Sequence, residues 1–238
     1  MTKKIIPYEF EKALGSYQQP TTEDRYLNES TKSAIRNAWD SFSVLDNFGR
    51  VWIQAGCVHT LLRTSKANAS YLIGGIADYD KYRDGEQLYI RGTAICQLLD
   101  FNIQNARSLQ RENYIRFCEL FYKAIRDCSR ARELRAEFYE HLERTVGRLK
   151  QDRIRSFGIQ YDELTNEPLD LRSCEFSHIR SVSLFPELAG LMENGLIVNK
   201  DTHDQITRSA INDEEELLQL CEINNWNTSW FYRYALTN

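Results

Sequence analysis

The sequence predicts an α+β protein, mostly helical over residues 1–157 and mixed over residues 158–238. Three observations lead there. From Arg111 to Phe157 the apolar side chains recur every three or four positions, the period of an amphipathic helix. Short apolar runs at 71–76 and 87–90 lie beside Gly74-Gly75 and Asp84-Gly85, which suits either the strands of a small hairpin or loops. After Gly158 the chain becomes acidic and rich in turn residues, and holds two of the four histidines, His178 and His203.

Bulk properties narrow the class. A chain of 238 residues can bury one large core or two small ones. With 42% hydrophobic and 27% charged residues it is neither disordered nor collagenous. No apolar run approaches the length of a membrane span. The start, Met-Thr-Lys-Lys-Ile-Ile-Pro-Tyr-Glu-Phe, has lysines but no long apolar segment behind them, which argues against a secretory signal. The six cysteines, at 57, 96, 118, 128, 174 and 221, form no CxxC pair. A zinc ribbon and a disulfide framework are both disfavoured, and reduced thiols in a cytoplasmic protein are expected.

Taken in order, residues 1–30 carry Pro7, Gly15 and Pro20 and read as an irregular arm, with one short helix over 8–14. Ile35, Ala38, Trp39, Phe42 and Leu45 predict a helix over 31–45, and 51–62 reads as a second, weakened by Gly56. Residues 93–110 have the rhythm of short helix, turn and helix. That rhythm suits either a DNA-reading helix–turn–helix or an ordinary helical hairpin. The stripe then runs through Tyr114, Phe117, Cys118, Phe121, Ile125 and Cys128, and on through Leu134, Phe138, Leu142, Val146 and Leu149. One unbroken helix of that length would approach about 70 Å, so a break is expected near 127–132, giving an antiparallel pair. Gly158 ends the second helix and 162–168 forms a linker. Toward the end of the chain, Asn212 is placed to cap a helix with Glu215 in the capping-box position. Trp226, Trp230, Phe231 and Tyr232 then pack back onto the domain.

Charge is unevenly spread. Residues 158–238 hold 14 Asp or Glu and 5 Lys or Arg, a balance of −9, so residues 1–157 carry +5 within the net −4. The densest basic stretch is Arg144, Arg148, Lys150, Arg153 and Arg155, opposed only by Asp152. It reads either as a surface that contacts phosphates, releasing counterions, or as a solvated helix face.

The most informative segment runs Cys-Glu-Phe-Ser-His-Ile-Arg-Ser-Val-Ser-Leu-Phe-Pro-Glu-Leu-Ala-Gly-Leu-Met-Glu-Asn-Gly-Leu-Ile-Val-Asn-Lys-Asp-Thr-His, from Cys174 to His203. His178, Asn194 and His203 follow one another at separations of 16 and 9 residues, with Phe185-Pro186-Glu187-Leu188 between the first two. A bare His…Asn…His series is weak; the same series with His-Ile, Phe-Pro-Glu-Leu and Asn-Gly-Leu-Ile in register is far more specific. His59 and His141 sit in helical patterns and take no role.

In this register the segment resembles the HNH endonuclease family, the ββα-metal nucleases, and most closely their phage and restriction types. The resemblance covers roughly residues 164–207. It implies a strand ending at His178, a loop over 181–193, a return strand over 195–199 and a helix over 200–210. It implies a metal-dependent DNA endonuclease of restriction, phage or mobile-element type. In that reading His178 is the general base, Asn194 fastens the loop that holds it, and His203 is a metal ligand. Arg180 would join the basic stretch in contacting nucleic acid. Two positions depart from the family pattern: Ser177 stands where many members have a metal-binding His or Asp, and Thr207 where many have a last His. A hydroxyl is a poor ligand beside an imidazole, so Ser177 contributes weakly at most. This shortage favours Mg²⁺, with Mn²⁺ or Zn²⁺ as alternatives. It also leaves a second reading open, a degenerate module that binds nucleic acid or protein without cutting. DNA is the expected partner, and with one site per chain a double-strand cut calls for a homodimer.

Overall fold

The computed structural model describes residues 8–22, 24 and 27–237. Of the arm expected over 1–30, residues 1–7, 23, 25 and 26 lie outside the described residues. The described chain divides into two compact units, 8–138 and 139–237. Both combine helix and sheet, so the α+β class holds for the whole.

The first unit contains a five-stranded antiparallel sheet. Strand β1 (Phe10–Lys12) is followed by helix α1 (Glu29–Phe42), then strands β2 (Ser43–Asp46) and β3 (Val51–Gln54). Two short helices come next, α2 (Val58–Leu61) and α3 (Lys66–Gly74), then strands β4 (Lys81–Asp84) and β5 (Gln87–Arg91). Helices α4 (Gly92–Gln104) and α5 (Leu109–Arg126) complete it, with the start of α6 (Ser129–Phe157). The strand order is β1-β2-β3-β5-β4, with Val44 opposite Trp52 and Ile53 opposite Ile90.

One face of the sheet, with Leu45, Val51, Ile53 and Ile90, packs on the apolar stripes of α1, α4 and α5. The other gathers Val44, Trp52 and Tyr89 under Tyr8, Phe10 and Tyr82. The turn between β2 and β3 is organised by Asp46, which is fully buried. Its Oδ1 accepts from the backbone N–H of Phe48 and of Arg50, both at 2.9 Å, and its Oδ2 from Trp52 Nε1 at 2.8 Å.

Several expectations need correction here. Residues 8–14 contain a strand, Phe10–Lys12, rather than a helix. The run 51–62 begins as β3, which is buried on both faces and so lacks the alternation that marks a half-buried strand. The run 71–76 is the end of α3, over 71–74, and the turn that follows it; the Ser65 cap of α3 accepts from Asn68 N at 3.1 Å, and its apolar residues are not gathered on one side, so no helical period shows. Residues 93–104 form one continuous helix, so the turn expected at 100–103 falls instead at 105–108, between α4 and α5. The expected break does occur, at Asp127 and Cys128 between α5 and α6.

The second unit begins within α6, which stops at Phe157. Gly158 follows in the left-handed conformation (φ 61°), and the Ile159 N–H reaches back to Ile154 O at 3.2 Å. Strands β6 (Glu175–His178) and β7 (Gly195–Val198) make an antiparallel hairpin, with His178 opposite Gly195. Helices α7 (Lys200–Arg208), α8 (Glu214–Ile223) and α9 (Ser229–Thr237) follow. Leu164, Ile179, Leu196, Val198, Ile206, Leu217, Cys221, Trp230 and Tyr234 form its core. The cap of α8 is Asp213, one residue later than expected: its Oδ1 accepts from Glu215 N at 3.1 Å and Glu216 N at 2.9 Å. The aromatic tail packs inward through Trp230 and Tyr234, while Tyr232 stays exposed. Among the described residues no helix is long and apolar enough to cross a membrane.

Candidate functional site

The site lies at the end of β6. Side chains on a strand alternate between faces, so Phe176 and His178 share one face and Ser177 takes the other. The Phe176 and His178 rings meet edge to face, with centroids 5.0 Å apart. Ser177 is buried at 3% exposure. It is turned away from the face that carries His178, and the structure does not bring it to the site as a ligand.

The loop between the strands holds His178 by its backbone. Pro186–Leu188 forms a short 3₁₀ turn, with Leu188 N bonded to Phe185 O (2.9 Å) and Ala189 N to Pro186 O (3.1 Å). That turn presents the Ala189 carbonyl to His178 Nε2 at 3.0 Å. A carbonyl only accepts, so the bond fixes the proton on Nε2 and leaves the Nδ1 lone pair as the basic one in the neutral ring. Burial, first, and then the nearby charge of His203 hold His178 below its ordinary pKa of 6.5, against an opposing effect of the Ala189 bond. The imidazole is therefore kept neutral near pH 7, the state a general base requires.

Asn194 closes the loop. Its Oδ1 accepts from Arg180 N (3.0 Å), and its Nδ2 donates to Arg180 O (3.1 Å) and Leu188 O (3.3 Å). Its backbone oxygen accepts from Ile179 N at 2.9 Å, and the buried Tyr234 hydroxyl reaches Oδ1 at 3.3 Å. The amide thus joins the residues that follow His178 to the turn that orients it. His203 stands in the first turn of α7, half-buried, close enough to His178 for its charge to bear on the latter's proton affinity.

The basic residues divide. Arg153 is a correction: it is 7% exposed and holds Glu163 in a two-pronged ion pair at 2.9 and 2.8 Å, with its remaining nitrogen on Met192 O at 2.9 Å. A guanidinium buried and ion-paired in this way is not presented to a phosphate outside. Arg180 likewise grips Glu214, at 2.6 Å and 2.5 Å, with its guanidinium over the Phe185 ring. Lys150 donates to the Cys174 carbonyl. Arg144 pairs with Glu140 on the surface at 2.8 Å, and Arg148 and Arg155 are exposed.

A resident metal ion can be tested against the donors present. Among the described residues no three His, Cys, Asp or Glu side chains gather as a metal site. The Thr207 hydroxyl donates back to His203 O at 3.0 Å. The set does not fit tetrahedral zinc, which takes three or four such ligands. It is compatible with a cation that keeps several waters and takes oxygens from a bound phosphate, with His203 as the single protein ligand.

Sequence reasoning missed the residues that brace the site. The stretch 162–168 reads as a linker, yet Asp162 and Glu163 within it bond to β7 and α7. The local signal was present, since Asp162 makes an Asx-type turn with Leu164 N and Thr165 N (2.9 and 3.0 Å). Its distant partners leave no trace in the sequence. Comparison with known proteins adds no identification: no family model, curated protein or solved structure matches this chain.

Proposed function

We propose that residues 139–237 form an HNH-type nuclease module that hydrolyses DNA phosphodiester bonds with a divalent cation, Mg²⁺ before Mn²⁺. The observation that carries this reading is the His178 imidazole at the end of a hairpin strand, with Nε2 bonded to Ala189 O and its pKa lowered. Such a ring takes a proton from water on Nδ1 as the water attacks phosphorus. Asn194 keeps the loop, and so the Ala189 carbonyl, in place. A cation at His203 supplies charge stabilisation for the phosphate oxygens. The exposed Arg148 and Arg155 are the basic side chains best free to follow the DNA backbone.

The test is nicking of supercoiled plasmid by the full chain with Mg²⁺ or Mn²⁺, beside His178→Ala and His203→Ala. Metal-dependent nicking by wild type, lost in His178→Ala, supports the reading. Equal nicking by both proteins removes His178 from the role.

A second reading draws on the poverty of metal donors. In it the module binds nucleic acid or a protein partner and cuts nothing. Absence of nicking across a panel of divalent metals, together with retained DNA binding, would favour it.

A further inference from the structure

Asp162 is fully buried, and no cation pairs with it among the described residues. A carboxylate in that setting is costly unless hydrogen bonds replace the lost water. Four donors converge on it. Oδ1 accepts from Leu164 N (2.9 Å) and Thr165 N (3.0 Å), and Oδ2 from Asn199 N (2.7 Å) and Thr202 Oγ1 (2.8 Å). The first pair shapes the turn after α6, and the second pair lies at the start of α7.

That start lacks a cap of its own. The Asn199 side chain, at the N-cap position, is occupied elsewhere: its Oδ1 accepts from Asp170 N at 2.9 Å and its Nδ2 donates to Pro168 O at 3.2 Å. A helix start leaves N–H groups unpaired and carries partial positive charge. Here a carboxylate from a remote loop accepts from one of those N–H groups, that of Asn199, and from the Thr202 hydroxyl, and brings negative charge to the helix start. Asn199 and Thr202 bracket the turn that carries His203, whose N–H bonds to Asn199 O at 3.0 Å. The adjacent Glu163 ties the same loop to β7: its Oε2 accepts from Ile197 N at 2.7 Å and its N–H donates to Ile197 O at 3.0 Å. Strand β7 pairs with β6, which ends in His178.

We propose that Asp162 is a positioning residue: by holding Asn199 and Thr202 it fixes where His203 stands relative to His178. The proposal rests on the nuclease reading for its catalytic consequence, though not for the placement itself. The hydroxyl of Thr202 is the part of this clamp that can be removed most gently.

The experiment compares wild-type protein, Asp162→Asn, Thr202→Val and Thr202→Ser, all as the full chain and well below their melting temperatures. Two readouts are taken: kcat and KM for plasmid nicking, and the His203 ring signals by NMR. Misplacement of a reacting group by about 1 Å lowers rates by about 100-fold. Thr202→Val is therefore expected to lower kcat by about 10-fold or more with KM within about twofold. Its His203 ring signals should shift, and Thr202→Ser should restore both. A kcat loss that merely tracks the unfolded fraction, or wild-type kcat and unmoved His203 signals in folded Thr202→Val, overturns the proposal. If Asp162→Asn does not fold, the Thr202 pair still decides. If wild type cuts nothing, the nuclease reading fails, and the NMR arm alone judges the placement: shifted signals sustain it and unshifted signals overturn it.

Discussion

The Phe176 ring lies directly over Gly195, where a Cβ would come within 2.1 Å of Phe176 Cζ. Gly195 has an ordinary extended backbone (φ −156°), so the glycine is required by the neighbouring ring and not by conformation. The same ring meets His178 edge to face. Gly195→Ala must therefore push Phe176, and with it the imidazole. The expected cost is about 1–3 kcal/mol of stability, as for other overpacked sites. It should be accompanied by a fall in nicking rate larger than the lost folded fraction explains. Urea melts read beside plasmid nicking check this.

Arg153 and the exposed arginines should separate cleanly. Arg153→Ala leaves the Glu163 side chain, only 11% exposed, without its cation, and breaking such a pair costs about 3–5 kcal/mol. Urea unfolding should reveal that loss. Arg148→Ala and Arg155→Ala should leave stability within about 0.5 kcal/mol. Each should weaken DNA binding and reduce the salt slope of log K by about 1. Titrations at several salt concentrations measure it.

Stability should fall with acid through His178. Its pKa is lowered in the folded state from 6.5. As pH drops through 6.5 the unfolded chain takes up a proton that the folded chain refuses, so the unfolded state gains. The stabilisation is complete above that pH and is lost progressively as pH falls toward the folded value. The slope from this one group reaches at most about 1.4 kcal/mol per pH unit. Melting at pH 7.5 and 5.5 should show a smaller acid loss in His178→Asn than in wild type.

Glu214 supplies a second, lower window. Burial, the largest single effect, pushes its carboxyl up, but the hydrogen bonds from Arg180, a backbone N–H and the Arg180 charge together outweigh it and hold the carboxyl below its usual 4.5. A depressed carboxyl stabilises the fold above the unfolded pKa and loses that effect as pH falls through the folded one. Arg180→Ala should cost about 1.5–3 kcal/mol at neutral pH, the usual worth of hydrogen bonds to a charged group. It should also flatten the dependence below pH 4.5. Denaturant midpoints from pH 7 to pH 3 provide the comparison.

What the sequence disclosed follows from how locally each element is determined. The α5–α6 stripe, the stop at Gly158 and the β7–α7 succession depend on spacing and turn chemistry, and these were legible. The five-stranded sheet was not. Strand β3 is covered on both sides and so shows no alternation, and β1 is only three residues long. At the site, the order of His178, Asn194 and His203 could be read off. The burial of Arg153 and the reach of Asp162 to Thr202, 40 residues on, depend on tertiary contact and could not.

The central claim, that His178 removes a proton from the attacking water, is tested most directly by chemical rescue. His178→Gly is assayed for plasmid nicking with Mg²⁺ or Mn²⁺, with and without added imidazole. The account predicts a variant slowed by about 100-fold or more, in the range a general base contributes, and partly restored by imidazole in proportion to its neutral form. A variant that nicks as fast as wild type, or a wild type that nicks nothing with any divalent metal, would contradict it.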